Sequence, residues 1–369
     1  MNATDPALQA LIDRVLAAQA AGSSLNICGG GSKSFYGEAP LGEPLHTTAL
    51  AGISSYEPSE LVVTARAGTR LIELESVLAE RGQCLPFEPP HFVTHGSTGA
   101  TVGGMVAAGL SGPPRASVGA VRDYVLGASL LNGKGEVLSF GGQVMKNVAG
   151  YDVSRLLAGS MGTLGVILEV SLKVLPMAPA TATLRFQLEQ VAALDKLNLW
   201  GGQPLPLNAS AWWDGTLLVR LRGALAAVQA AITRMGGDVI EPAHASPFWD
   251  GLRNHTDEYF TKAQKAVAGG SVSLWRVSLP PTAKPLILPG EQLIEWHGAQ
   301  RWLCTSASAA KVREAALRAG GHATLFMAQH KAGGAFAPLK APLDRIHRDL
   351  KTAFDPAGVF NPGRLYPGL

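Results

Sequence analysis

Gly29-Gly30-Gly31-Ser32-Lys33-Ser34 is the first stretch whose residue types could do chemistry. Consecutive glycines let the backbone turn several N–H groups toward one point, a concave nest for an anion, and Lys33 adds a cation beside it. Phosphate is the natural guest. The nucleoside-triphosphate loop is not met, because Ser32 stands where that pattern needs the glycine before Lys-Ser/Thr, and no helix with an apolar stripe follows Ser34. The dinucleotide fingerprint fails as well: Gly29 and Gly31 would need a third glycine where Ser34 stands, inside a βαβ unit. Taken alone, the cluster reads equally well as a plain tight turn.

A second segment changes the balance. Gly96 to Gly119, GSTGATVGGMVAAGLSGPPRASVG, reads as too rich in glycine for a regular element and too apolar for a solvated linker, so it is expected to lie against something. Two such segments can wrap one long, flat ligand, one holding its phosphates and the other admitting close backbone approach to a ring. Metal chemistry finds less support. His244, His255, His297, His322, His330 and His347 are scattered, and His91 and His95, although four apart, follow Pro89-Pro90 and so fall on a loop. Cys28, Cys84 and Cys304 are few, odd in number and far apart, which excludes a disulfide framework and an iron–sulfur site within this chain. SLWRVSLPPTAK around Trp275 and Arg276, and EWHGAQRWL around Trp296, His297, Arg301 and Trp302, allow two readings. Either they are core tryptophans on strands with arginines reaching outward, or they form an exposed Trp/Arg cluster that faces a cofactor or docks a partner.

The elements that must position these residues follow from periodicity. An amphipathic helix is expected to open at Asp5 (N-cap) and Pro6, with Leu8, Leu11, Ile12, Val15 and Leu16 on one face, and to stop at Gly22. A strand from Leu25 to Cys28 feeds the glycine loop. Strand Leu61 to Ala65 and helix Leu71 to Glu80 follow, then a hairpin of Val125 to Leu131 and Val137 to Phe140 around Gly133-Lys134-Gly135, then a half-buried strand through Val166, Leu168, Val170, Leu172 and Val174. Pro176 and Pro179 break the chain, and a second α+β region begins. With 369 residues and 47% hydrophobic content, two ordinary domains with real cores are expected. A net charge of +3 and a charged fraction of 16% exclude the basic stripe of a nucleic-acid binder. No apolar run reaches the roughly 18 residues of a membrane span, and an acid stands in the opening residues where a signal peptide has cations, so the expected location is the cytoplasm.

From about Leu25 to Pro176, the segments ICGGGSKS, FEPPHF, ATVGGMVAAG, VRDYVLGASLLNGKGEV and KNVAGYDVSRLLAGSMGTLGVILEVSLKVLP resemble, in that order, the FAD-binding (PCMH-type) domain of the vanillyl-alcohol-oxidase family. The resemblance implies an α+β fold: a two-subdomain FAD-binding unit over residues 1–178, an α+β cap with an antiparallel sheet over 179–340, and a C-terminal segment, 341–369, that returns to the FAD domain. It assigns the pyrophosphate to Gly29, Gly30, Gly31, Ser32 and Lys33, and the flavin and pyrophosphate lining to Thr101, Val102, Gly103, Gly104, Ala107, Ala108 and Gly109. Backbone groups for the adenine side or the flavin would come from Gly165, Val166 and Ile167, and FDPAGVFNPGRLYP would bring Asn361 and Arg364 toward the flavin. The first loop lacks the histidine that some members bond to FAD, so non-covalent FAD is expected.

Relatives that oxidise glycolate or D-lactate carry a G-D-G-N-x-H metal motif and a later E-H-G, and neither occurs in residues 180–369. The Trp/Arg segments and the missing metal motif are instead similar to one branch, the FAD-binding E subunits of bacterial glycolate oxidases. That resemblance implies a glycolate oxidase complex with a catalytic D-type flavoprotein and an F-type iron–sulfur protein as the other subunits. It also implies glycolate or another small 2-hydroxy acid as the substrate of the complex, and membrane contact only through the complex. The flavin of this chain would then relay electrons, and the catalytic residues stay unassigned. Two other readings are a stand-alone, metal-independent flavin oxidase with His297 or Tyr259 as base, and a non-catalytic assembly subunit with a degenerate FAD fold.

Overall fold

The computed structural model describes residues 5–142, 152–331 and 333–369. The KNVAGY portion of the family-like segment, residues 146–151, lies outside the described residues. The first helix spans Pro6–Ala21; the Asp5 carboxylate accepts the Ala7 N–H at 2.9 Å, and Gly22, at φ 62°, ends the helix in the left-handed region open to glycine. Leu8, Leu11 and Val15 bury against Leu25, Leu45, Val166 and Leu168. Leu16, expected on the same face, is 44% exposed at the edge of the stripe.

Strand Leu25–Cys28 pairs in parallel with Glu43–His46. A five-stranded sheet follows in the order Ile53–Glu57, Val62–Arg66, Val166–Lys173, Val125–Leu131, Val137–Gly141, every neighbouring pair antiparallel. The expected hairpin is present. Its turn is fixed by Asn132, whose side-chain oxygen accepts the N–H groups of Lys134 and Glu136.

The glycine-rich stretch corrects an expectation, because it contains a helix, Val102–Ala108. Thr101 caps it by accepting the Gly104 N–H at 3.3 Å, and Gly109, at φ 65°, closes it. Glycine count misleads here because Gly103 serves packing: a Cβ on it would stand 2.7 Å from the Ala67 Cβ, so only glycine lets the helix lie against that backbone.

After Pro179, an eight-stranded antiparallel sheet runs Asp238–Ile240, Ala180–Gln187, Thr216–Gly223, Leu207–Trp213, Glu291–Glu295, Gln300–Thr305, Ser273–Ser278, His322–Met327. Helices Gln190–Gly201 and Leu225–Met235 cover one face with Leu184, Leu197, Leu217 and Val228, and Ala309–Arg318 extends that layer. The other face packs Leu274, Leu293, Trp302 and Phe326 against helices Pro242–Asn254 and Glu258–Ala268, and against Tyr36, Phe92, Leu110 and Met161 from the first half of the chain. An ion triad supports this junction: Glu88, at φ 43°, holds Arg220 and Arg222 at 2.7 Å each. Burial alone would raise the Glu88 carboxyl, but the two guanidinium groups outweigh it and hold it below the usual carboxylate range.

The last residues return to the first strand. Helix Leu343–Phe354 packs Leu350 and Phe354 on the five-stranded sheet's core, and Phe360 bridges to Leu25. Buried Lys351 meets Asp355 at 2.7 Å and also donates to the carbonyls of Thr163 and Phe360, while Asp355 accepts the N–H groups of Val359 and Phe360. Among the described residues no helix is long and apolar enough to cross a membrane.

Candidate cofactor cradle and substrate pocket

The first glycine loop follows directly from strand Leu25–Cys28 and is held by the start of the second glycine segment. Thr98 N–H donates to the Gly30 carbonyl at 2.9 Å, and a Cβ on Gly29 would meet Thr101 Oγ1 at 2.5 Å. Within the loop, the backbone N–H groups of Gly30, Gly31, Ser32 and Lys33 find no acceptor among the described residues. Gly30 and Ser32 are buried and Gly31 and Lys33 half-buried, so this row of donors is largely withdrawn from solvent. Beside the loop, Arg364 donates Nη2 to the Ser34 carbonyl at 2.8 Å, while its buried Nη1 finds no partner among the described residues. Among the described residues the Lys33 ammonium touches Ser32 Oγ, at 3.3 Å, and the Phe92 ring, and it meets no carboxylate. Burial, aided by the charge of Arg253, lowers its pKa to about 7. Four free N–H donors with two under-partnered cations form a receptor for a multiply charged anion, so the residues present fit the pyrophosphate of FAD.

The other expected contacts fall into two groups. Gly104, Ala107 and Gly109 keep some open surface along the helix, and the carbonyls of Val106 and Ala107 are tied to Gly159 and Met161. Val102, Gly103 and Ala108 are buried, and the N–H groups of Val102 and Gly103 are committed to the carbonyls of Thr69 and Ala67. The side chains of Val166 and Ile167 fill opposite cores of the five-stranded sheet, and Gly165 packs against the Leu131 carbonyl, which leaves that segment only backbone to offer. Asn361 is a clasp: its oxygen accepts the Ile27 N–H at 2.7 Å and its nitrogen donates to the Met161 carbonyl at 2.6 Å.

Beyond Gly109 the second glycine segment runs on into the wall of a pocket. Leu110 to Pro113 form one side, Pro90 and Phe92 a second, Leu252, Arg253 and His255 a third, and Arg276, Glu295, Gln300, Trp302 and Phe326 of the large sheet the fourth. The pocket is narrow and partly open to solvent. Strand register explains the selection: Arg276 follows Trp275 and precedes Val277, both packed on the opposite face of the sheet, so it points toward the cofactor side.

Polar geometry in the pocket centres on Gln300. Its oxygen accepts Arg276 Nε–H at 2.7 Å, and its nitrogen donates to Glu295 Oε2 at 3.1 Å, which also accepts Trp302 Nε1–H at 2.6 Å. Burial pushes the Glu295 carboxyl up to about 7, against the lowering pull of Trp302, Gln300 and Arg276, and the charge of Asp257 adds to the rise. The folded state therefore holds this proton more tightly than the unfolded chain does. Stability from Glu295 is fully present below about pH 4.5 and is lost as pH rises through about 7. Glu295→Gln, which can still accept from Trp302 and Gln300, is expected to be more stable than the parent at pH 8, by about 3 kcal/mol, and nearly equal to it at pH 4. Thermal melts at the two pH values check this, and equal gains at both would reject it.

Several sequence expectations end elsewhere. Trp275, Trp296 and Trp302 are buried, and Arg301, fully enclosed, donates to the carbonyls of Gly298, Ala283 and Lys284, so these residues form core and not an exposed docking cluster. Arg276 and Trp302 are the members of that group that line the pocket. Trp296 fixes the sheet to the cofactor half through its Nε1–H on the Gly112 carbonyl at 3.1 Å. His297 meets Ser117 Oγ at 3.0 Å, lies outside the pocket lining and is neutral, its pKa lowered by burial to about 4. Tyr259 is buried, donates to the Glu291 carbonyl, and lines a different, mostly apolar cavity. His91 pairs with Glu75 at 2.9 Å and His95 is exposed; no metal-ligating cluster occurs among the described residues. Sequence reasoning missed Glu295, Gln300 and Arg253, and weighed His255 only as a metal ligand. The alternation of QRWLCT, with Gln300 and Trp302 on one face and Arg301 and Leu303 on the other, is the signal that could have found the strand pair.

Residues 7–141 match the FAD binding domain family. With the nest and the fold, that match defines the class: an FAD-binding flavoprotein of the oxidoreductase type. Over 361 residues the chain is 46% identical to glycolate oxidase subunit GlcE of Escherichia coli (strain K12), covering 98% of both chains, and it belongs to that family. It is also 28% identical to glycolate oxidase subunit GlcD of Bacillus subtilis (strain 168) over 47% of this chain and 34% of that one. D-lactate dehydrogenase of Anaerostipes hadrus is 33% identical over 39% of this chain and 29% of its own length. Among solved structures, an alkyldihydroxyacetonephosphate synthase superposes with a TM-score of 0.65 at 16% identity, covering 96% of this chain and 75% of that one, a likeness of fold.

Proposed function

We propose that this chain is the FAD-binding subunit of a glycolate oxidase complex that oxidises glycolate to glyoxylate together with a catalytic flavoprotein subunit and an iron–sulfur subunit. The observation that carries the reading is the end-to-end likeness to the Escherichia coli GlcE subunit. The likeness to GlcD is confined to 47% of this chain, as expected of two subunits that share a cofactor domain and differ in the rest. Bound FAD supplies the two-electron oxidant. The chain's own residues hold it non-covalently: Gly29, Gly30, Gly31, Ser32 and Lys33 at the pyrophosphate, the open surface of Gly104, Ala107 and Gly109 along its length, and Arg364 near the first loop, while buried Thr101 caps the helix that carries the glycines. The three free and dispersed cysteines form no cluster of their own, which supports a separate iron–sulfur partner as carrier of single electrons. Association with a membrane would come through that complex.

Co-expression of the tagged chain with a GlcD-like flavoprotein and an iron–sulfur protein tests the proposal. The three are expected to co-elute, with glycolate-dependent dye reduction lost when this chain is omitted; full activity without it would overturn the reading. Lys33→Met tests the cofactor assignment. The buried ammonium, lowered to about 7, regains its proton beside an anion, so FAD affinity in the parent is expected to fall above pH 7. The variant is expected to bind FAD about 10- to 100-fold more weakly, with that pH dependence flattened, as read by quenching of FAD fluorescence.

A further inference from the structure

We propose that the pocket between the large sheet and the Leu110–Pro113 segment is a receptor for a small 2-hydroxy carboxylate, with the acid on the Arg276 guanidinium and the hydroxyl donating to Glu295. The choice of glycolate as first ligand rests on the glycolate oxidase reading, whereas the choice of chemical class rests on the pocket.

Arg276 has its Nε–H committed to Gln300, and among the described residues its guanidinium makes no ion pair with a carboxylate. Elsewhere around the pocket the charges are already matched: Arg253 meets Glu75, which also holds His91. Arg276 is thus a fixed, planar donor without an anion, the group best suited to grip a carboxylate in two places. Glu295 supplies the second contact. Its Oε2 is saturated by Trp302 and Gln300, whereas Oε1 has no hydrogen-bond partner among the described residues. It is also absent from the enclosed, unpartnered atoms, so it borders open space.

Gln300 sets the spacing. One amide fastens both groups, Arg276 by its oxygen and Glu295 by its nitrogen, and no direct ion pair forms between them. A ligand that carries an acceptor at one end and a donor next to it completes both sites. A carboxylate bearing a 2-hydroxyl is the smallest molecule with that pattern. Phe92, Leu110, Leu252, Trp302 and Phe326 make much of the remaining wall apolar, with Ser111, Arg253 and His255 as its other polar members, and the confined space disfavours long acids. Leu110 directly continues the segment that carries the cofactor cradle, which places the ligand beside the path of the cofactor.

Calorimetric titration of the purified, flavin-loaded full chain with glycolate and with acetate tests this, binding being read independently of turnover. Glycolate is expected to bind more tightly than acetate. Arg276→Lys keeps the charge but not the fork and is expected to weaken both acids, glycolate by about 10- to 100-fold. Glu295→Gln presents an amide donor where the acceptor stood, so acetate affinity is expected to persist while the advantage of glycolate over acetate disappears. Unchanged flavin content and melting behaviour of Arg276→Lys at the assay pH show that the pocket, and not the fold, was altered.

Failure of every small 2-hydroxy acid to bind the parent chain, or glycolate affinity unaffected by Arg276→Lys, overturns the proposal. D-lactate binding that depends on Arg276 and Glu295 while glycolate does not bind would support the pocket and reject the glycolate oxidase reading. Assembly with the partners, but no acid bound, would do the reverse.

Discussion

Gly30→Ala is expected to yield a chain without bound flavin. The added Cβ would stand 1.7 Å from the Gly99 carbonyl oxygen and 2.8 Å from its carbon, both backbone atoms of the adjoining segment. No rotamer change relieves such an overlap, so the two segments must separate, and the Thr98 N–H to Gly30 carbonyl bond that joins them at 2.9 Å is lost. Separation also turns the four unpaired N–H groups of the loop away from one another, which removes the convergence that makes an anion site. Visible flavin absorbance per chain after purification measures the effect, with Gly201→Ala as the control: that glycine ends a helix with nothing within 4 Å of its would-be Cβ, and the change is expected to leave flavin content intact. A fully yellow Gly30→Ala protein would refute the placement of the cofactor.

Asp355→Ala is expected to destabilise the fold by about 3–5 kcal/mol, enough to cost a large part of the stability of an ordinary domain. Asp355 is 1% exposed and serves three donors: the Lys351 ammonium and the N–H groups of Val359 and Phe360. Removing it leaves a buried cation with only two carbonyls for company and two backbone N–H groups without acceptors. Asp355→Asn keeps an acceptor but no counter-charge and should fall between the parent and alanine. Urea denaturation midpoints rank the three, and an alanine variant within about 1 kcal/mol of the parent would contradict the account.

Local signals carried the first half of the fold. Asp5-Pro6 and Gly22 bracket the opening helix because a cap and a stop act within a turn of the chain, and Asn132 to Glu136 form the expected hairpin for the same reason. The glycine loop was legible as an anion nest, and the family likeness added what the nest would hold. The Val102–Ala108 helix was not legible, since helix propensity penalises Gly103 and Gly104 whereas the close fit against Ala67 favours them, and packing prevailed. The pocket was less legible still. Arg276, Glu295 and Gln300 come from three strands of one sheet, and their meeting depends on a register that no single segment encodes. Arg301 and Tyr259 looked no less chemical in the sequence; the parity of Arg301 along its strand turns it to the other face, and Tyr259 is buried on a helix beside a different cavity.

The clasp at Asn361 orders events in time. Ile27, at the foot of the phosphate loop, has its N–H satisfied by a side chain made 334 residues later, and Leu25 pairs with Phe360. On a ribosome, the nest therefore waits with its supporting strand incomplete while the entire large sheet is synthesised and folds. Flavin capture by this chain is then a late event in its biogenesis, and nascent chains halted before Asp355 should emerge colourless even when FAD is abundant.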